Sequence, residues 1–386
     1  MRAQAGTGST SGAGRALHVA VDATAVPADR GGVGRYLDAL IPALAARADV
    51  RLTVVVQPRD AEQVRALAPG ATVLAAPAAI ARRPVRLCWE QVGLPRLVAR
   101  ARADVLLSPH YTMPLLGPVP VVVTLHDATF FSHPHLHSRL KAVFFRTATR
   151  LAVRRAAGLV VPSRATLEEL VRFAGARRDR VVVALHGVDP EVFHPVPEAE
   201  RARVRRALGL GDSRYVAFLG TLEPRKNVPA LVRAWSSAVE GTDAPPALVL
   251  AGGRGWDTGV DPAIAAVPSG LTVLRPGYLP YEDLAGYLAG AEVVAYPSLG
   301  EGFGLPVLEA MACGAAVLTS RELSLTEVGG DAVAYAGTDA PDIARHLRAL
   351  LSDPGHRRAL AGAARARARL FTWEASAERH AEAFAA

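Results

Sequence analysis

A chain of 386 residues, half of them hydrophobic, suits two domains with ample buried cores. Its net charge of +8 is uneven: residues 1–195 hold 25 Lys and Arg against 14 Asp and Glu, while residues 196–386 hold 19 against 22. No run reaches ~18 uninterrupted apolar residues, which argues against a transmembrane helix, and basic–aromatic interleaving and zinc spacings are missing, which argues against nucleic acid as a partner.

The opening MRAQAGTGSTSGAGRA (1–16) lacks the apolar stretch of a signal peptide and reads as a disordered lead. Short apolar runs then alternate with amphipathic segments. LHVAVDAT (17–24), VRLTVVVQ (50–57), ATVLAA (71–76), ADVLLS (103–108), VPVVVTLH (119–126), GLVVPS (158–163) and RVVVALHG (180–187) predict buried parallel strands. VGRYLDALIPALAARA (33–48) and SRATLEELVRFAG (163–175) predict helices between them. After the first run, PADRGGVGRYL (27–37) is a glycine turn entering a helix; it is not G-x-G-x-x-G, so it gives little support to a dinucleotide. Cys88 and Cys313 are the only cysteines and stand beside no metal set, so a reduced, cytoplasmic protein is expected.

VVVTLHDATFF (121–131) ends a buried strand on His126 and Asp127. His133, His135 and His137 follow beside a proline with no converging carboxylate, and read as a solvated loop rather than a metal site. Residues 139–155 hold Arg139, Lys141, Arg146, Arg150, Arg154 and Arg155 and no acid, with Leu140, Val143, Phe144 and Leu151 at helical spacing on another side. Such a basic amphipathic helix either lies on anionic lipid or packs its apolar face onto its own domain. The basic first half as a whole suits an anionic membrane surface or a phosphorylated acceptor, or is a solvated face in an arginine-rich composition.

Residues 189–199, DPEVFHPVPEA, break the pattern as an interdomain linker would. A second α/β series follows in YVAFLG (215–220), PALVLAGG (246–253), LTVLRPG (271–277), AEVVAYPS (291–298) and AAVLTS (315–320), and the tail is helical by composition. The expected fold class is α/β, two Rossmann-like domains facing across a cleft. The first spans 17–195 and the second 196–370, with a last helix over 371–386 packing back on the first. In open parallel sheets ligands sit beyond the carboxyl ends of the strands, so the cleft is the expected site.

Two segments of the second half carry chemistry. FLGTLEPRKN (218–227) supplies cations at a strand end, where Arg225 and Lys226 can neutralise a diphosphate leaving group. Only Lys141 and Lys226 of the 44 basic residues are lysine, which singles out Lys226 further. EGFGLPVLEAMACG (301–314) is a glycine loop feeding a short helix, with Pro306 in its first turn and Gly314 past its end. A helix N-terminus of this kind exposes backbone N–H groups and a positive dipole end, both suited to phosphate. Glu309 lies about one turn inside and leans back toward that end, where it can accept from two ribose hydroxyls. Glu301 faces another part of the same ligand.

The stretch GYLPYEDLAGYLAGAEVVAYPSLGEGFGLPVLEAMACGAAVLTS resembles the nucleotide-sugar region of retaining family 4 glycosyltransferases, whose E-x7-E motif matches Glu301 and Glu309. The resemblance runs from Leu17 to about Phe384 and implies the two-domain GT-B fold. It implies sugar transfer from a nucleoside-diphosphate donor, with retained configuration and no metal or other cofactor. By the same resemblance Glu301 contacts sugar hydroxyls, Glu309 holds the ribose, and the backbone of Phe303, Gly304 and Leu305 meets sugar and diphosphate. His126 contacts the sugar near the reacting carbon, and Gly32 and Gly34 approach the diphosphate. The base is gripped around Gly277, Tyr278 and Leu279. Lys226 matches the family's lysine, but Thr221 stands where the family has an arginine; either Arg225 substitutes, or the Thr221 hydroxyl bonds the ligand instead. GTLEPRKN with HDATFFSHP is most similar to a branch that transfers mannose from GDP-mannose, with a UDP-sugar as the competitor. A glycan or lipid-linked acceptor, and peripheral contact with the inner face of an anionic membrane, complete the expectation. A nucleotide-sugar epimerase, a sugar phosphorylase and a non-catalytic glycan-binding protein are the readings from other classes.

Overall fold

The Val-, Leu- and Ala-rich runs assemble into two parallel sheets in the computed structural model, which describes residues 15–27 and 30–385. All but the last two residues of the lead expected over 1–16 lie outside the described residues. The first sheet holds β1 (Leu17–Asp22), β2 (Val50–Val56), β3 (Thr72–Ala75), β4 (Val105–Ser108), β5 (Val121–Thr124), β6 (Gly158–Val161) and β7 (Val181–Val183), in the order β3-β2-β1-β4-β5-β6-β7. Successive side chains of a strand point to opposite faces. Val19 and Val21 of β1 accordingly join one core with Leu40 and Val54, and Ala20 joins another with Leu106 and Val123. Both faces are covered, which is why these strands read as unbroken apolar runs.

The second sheet holds β8 (Tyr215–Leu219), β9 (Ala247–Ala251), β10 (Val273–Gly277), β11 (Val293–Tyr296), β12 (Val317–Ser320) and β13 (Ala334–Ala336), in the order β10-β9-β8-β11-β12-β13. Its core is built round the fully buried Trp235, whose Nε1 donates to the Pro246 carbonyl at 3.0 Å. Strand order reverses between β1 and β4 in one sheet and between β8 and β11 in the other. Crevices open at such switch points beyond the strands' carboxyl ends, and the second is where 220–227 and 297–304 emerge.

The chain crosses between the halves twice. After β7 it leaves the first sheet, and Phe193 joins the second core. After helix Pro354–Ala368 it returns, and helix Trp373–Ala385 lays Trp373, Ala377, Ala383 and Phe384 on the core of the first sheet. Where the crossings meet, Val188 N donates to Phe371 O at 3.1 Å. His380 Nδ1 lies 2.7 Å from the Ser376 carbonyl, which only accepts, so its Nε2 takes the Tyr36 hydroxyl proton at 2.7 Å. That bond joins the final helix to helix Gly31–Ala45.

Candidate active site

The two loops of the second switch point lie side by side. After β8 the chain turns through a short 3-10 segment, Pro224–Lys226, which brings Arg225 and Lys226 inward. After β11 the loop ends at Gly304, whose φ of 103° favours glycine, and helix Leu305–Ala312 begins.

Glu301 is 6% exposed and is the hub of a polar network. Its Oε1 accepts from Lys226 Nζ at 2.7 Å, Ser298 Oγ at 2.6 Å and Tyr296 OH at 3.0 Å. Its Oε2 accepts from Arg225 Nη1. The same Nη1 donates to Gly300 O at 2.7 Å, and Nη2 donates to Glu223 at 2.8 Å. Burial alone would raise the Glu301 pKa, but the charges of Arg225 and Lys226 outweigh it and hold it at about 2. Burial and then the Arg225 charge lower the Lys226 pKa, with Glu301 and Glu223 pulling back. Buried charges persist when paired and fully hydrogen-bonded, as here.

Glu309 is 3% exposed and differently held. Arg35 of the first domain's helix Gly31–Ala45 reaches across the cleft, its Nη1 lying 2.6 Å and 2.9 Å from the two carboxylate oxygens. Burial raises the Glu309 pKa, and Arg35 opposes it. The guanidinium carbon lies 5.9 Å from the centre of the Phe193 ring and 5.8 Å from that of Tyr281.

The first domain closes directly on the loop. A Cβ on residue 302 would lie 1.8 Å from the His126 carbonyl, so Gly302 is what lets the two backbones meet. Thr166 Oγ1 donates to Gly302 O at 3.2 Å, and Glu327 accepts from the N–H groups of Arg164 and Ala165 at 2.9 Å and 2.7 Å, capping helix Arg164–Ala174 from the opposite domain. Lys141 Nζ stands 4.2 Å from the Trp256 ring centre. His126 Nε2 lies 2.7 Å from the Pro109 carbonyl, so that nitrogen carries the proton and Nδ1 presents a lone pair. Burial lowers the His126 pKa, which keeps the ring neutral at pH 7. With the cleft drawn together, a cavity of about 530 Å³ lies instead at the hinge side, lined by Arg164, Leu185, Leu370 and Phe371 among others.

The structure thus gathers Glu301, Arg225, Lys226, Glu309 and His126 about one closed cleft. Arg225, expected as a leaving-group cation, stands here against Glu301, Glu223 and the Gly300 carbonyl. Both hydrogens of Nη1 are committed and Nη2 is on Glu223, which holds the guanidinium against Glu301. Thr221 is half-buried at the strand end, its carbonyl accepting from Glu223 N at 2.8 Å. The Phe303 ring turns into the hinge, 4.9 Å from His186 and 6.0 Å from Phe371. Leu305 opens its helix and Leu279 follows β10, both partly buried against the second core. Gly32 is exposed in open space; Gly34 is buried, and a Cβ there would meet Arg30. The histidine loop is less solvated than expected: the His137 ring lies tilted 4.3 Å from that of Phe130 and bonds Thr129, while His135 is exposed. Among the described residues no three His, Cys, Asp or Glu side chains are grouped to hold a metal ion. Sequence reasoning missed Tyr296, Ser298 and Arg35. The first two are polar residues ending an apolar strand run; the third is a cation in the second turn of helix Gly31–Ala45, where nothing local ties it to the other domain.

Two Rossmann-like domains closing on a carboxylate-bearing loop and helix at a switch point define a GT-B architecture. Residues 30–192 match the family described as Glycosyltransferase Family 4, and residues 200–367 match Glycosyl transferases group 1. The chain is 32% identical over 257 residues to O-antigen chain mannosyltransferase B of Escherichia coli, covering 66% of this chain and 67% of that one. It is 31% identical over 382 residues to D-inositol 3-phosphate glycosyltransferase of Acidothermus cellulolyticus, covering 91% and 84%. Sucrose-phosphate synthase from Thermosynechococcus elongatus shares the fold with a TM-score of 0.76 at 21% identity, over 95% of this chain and 98% of that one. Anabaena Alr3699/HepE in complex with UDP-glucose does so with a TM-score of 0.73 at 18% identity, over 95% and 98%. The chain belongs to glycosyltransferase family 4.

Proposed function

We propose that this glycosyltransferase is a retaining, metal-independent hexosyltransferase taking its sugar from a nucleoside-diphosphate donor, GDP-mannose first among them. The sugar passes to a glycan or lipid-linked acceptor held by the basic first domain. The observation that carries the reading is the pair Glu301 and Glu309, two buried carboxylates on either side of a helix N-terminus that faces the other domain. Glu309 offers its oxygens to two ribose hydroxyls. The helix N-terminus takes the diphosphate. Glu301, fixed in its ionised form, accepts from sugar hydroxyls, and Nδ1 of His126 accepts from another on the first-domain side.

In the transfer, the bond from the anomeric carbon to the diphosphate oxygen breaks as the bond to the acceptor oxygen forms on the same face. The acceptor's proton passes to the departing diphosphate. Negative charge grows on that diphosphate, and the Lys226 ammonium and the helix N–H groups, placed before the reaction begins, lower the barrier.

Likeness to a mannosyltransferase supports a mannose donor. The test is a thermal-shift screen against GDP, UDP, ADP and their sugar conjugates, since a ligand that prefers the folded state raises its stability. A selective response to GDP and GDP-mannose is expected. A selective UDP response moves the reading to a UDP-sugar, and silence from every nucleotide sinks it.

Helix Arg139–Arg155 supports a peripheral contact with anionic lipid. Ala142, Thr149 and Ala152 are its buried residues, so Leu140, Val143 and Phe144, at 82%, 61% and 40% exposure, face outward beside the basic residues. None of the described helices is long and apolar enough to cross a membrane. Co-sedimentation with liposomes is expected to depend on anionic lipid and to weaken in Leu140→Glu; binding indifferent to lipid charge overturns the contact.

A further inference from the structure

A departing diphosphate carries at least two negative charges, and the cations set against it here are fewer than the sequence suggests. Thr221 occupies the position where a related arginine would stand, and the Arg225 guanidinium is taken up by Glu301, Glu223 and Gly300 O. One other guanidinium enters the site, from the opposite domain. Arg35 lies against Glu309 in the helix whose N-terminus would face the phosphates, with the Phe193 and Tyr281 rings about it. The first turn of its own helix has no acidic residue and no side-chain cap, so no acid of that turn complements the positive end.

Arg35 and a ribose compete for the same carboxylate. Ribose hydroxyls that approach Glu309 along the directions Arg35 now occupies displace the guanidinium, which then stands about one helical turn from the diphosphate without the carboxylate it pairs with here. We propose that donor binding makes Arg35 exchange Glu309 for the diphosphate, so that the first domain supplies the second leaving-group cation. The inference rests on the donor reading above. It ties chemistry to closure, because the cation arrives only when the domains meet.

The experiment is calorimetric titration of wild type, Arg35→Ala and Arg35→Lys with GDP and UDP and with the matching nucleosides guanosine and uridine. In Arg35→Ala, nucleoside binding is expected to hold or tighten, because Glu309 has lost its competitor, while the diphosphate weakens about 10- to 100-fold. Arg35→Lys recovers part of the loss, keeping the charge without the fork. Nucleoside binding in the same variant reports that the site is folded; should Arg35→Ala not fold, the ratio of diphosphate to nucleoside affinity in Arg35→Lys carries the test and is expected to fall. If removal of Arg35 tightens nucleoside and diphosphate alike, or changes neither, the inference is overturned. Wild type that binds neither GDP nor UDP fails at an earlier step, and there the donor reading itself falls.

Discussion

Glu301 and Glu309 come from one loop and the helix that follows it, are almost equally buried, and have their charge fixed by opposite means. Glu301 is surrounded by its own domain: two cations, a tyrosine and a serine converge on it, and its pKa lies at about 2. Glu309 has one cation, supplied across the cleft, and burial still moves its pKa upward. The first is an anion by construction of the fold. The second depends for its counter-charge on a residue of the opposite domain. A single motif therefore combines a fixed element with a conditional one.

Glu301→Gln should break this contrast most severely. It leaves Arg225 and Lys226 buried with only Glu223 between them, and an unpaired buried charge costs about 3–5 kcal/mol. Urea unfolding at pH 7 measures it, and a loss below about 1 kcal/mol would show that Glu223 alone suffices. Glu309→Gln should cost about 1 kcal/mol or less, because the partly exposed Arg35 can return to water, yet it should weaken nucleoside binding about tenfold.

The pH dependence of those two variants sharpens the comparison. Glu301 has its folded pKa below the unfolded value, so its stabilisation is present above about pH 4.5 and is lost as pH falls toward 2. Glu309 has its folded pKa raised, so its contribution is present at low pH and lost as pH rises through the folded value. The penalty of Glu301→Gln should therefore shrink in acid, and that of Glu309→Gln should grow. The wild type has a further acid-sensitive set. Burial lowers His126 and His186 and brings His380 to about 4, so stability present above pH 6.5 should fall as pH drops toward 4. Melting temperatures over about pH 2–8 check all three slopes. The smallest effect belongs to Lys141→Ala, which removes the cross-cleft contact with Trp256; about 0.5–1 kcal/mol of closed-state stability should go. A pair of fluorophores spanning the cleft would report it as a small shift toward the open form.

Fold and site were legible to different depths. Twelve of the thirteen strands among the described residues lie within apolar runs visible in the sequence, because both faces of each sheet are covered and the runs are unbroken. The exception, β13, is three residues at a sheet edge, too short to show a pattern. Helix Arg83–Ala101 also escaped notice, since its Pro95 and evenly spread polar residues blur the helical stripe. At the site, Glu301, Glu309 and Lys226 stand out because their spacing around a glycine loop and a helix start is local information. Arg35 meets Glu309 across 274 positions, and Arg225 turns to Glu301 across 76, distances over which spacing says nothing. Local pattern fixed which groups are present; which cation faces which carboxylate came from tertiary packing.

The bond between Val188 and Phe371 has a mechanical consequence. A jaw attached by one tether can swivel in any direction, whereas two tethers laid side by side and stitched together leave rotation about a single line. Here the outgoing and returning segments are joined at that point, which would favour a swing about an axis through it over a loose wobble. An opening of that kind would carry Arg35 away from Glu309 and back along one arc, and the angular precision of the joint would become part of how accurately the two halves meet.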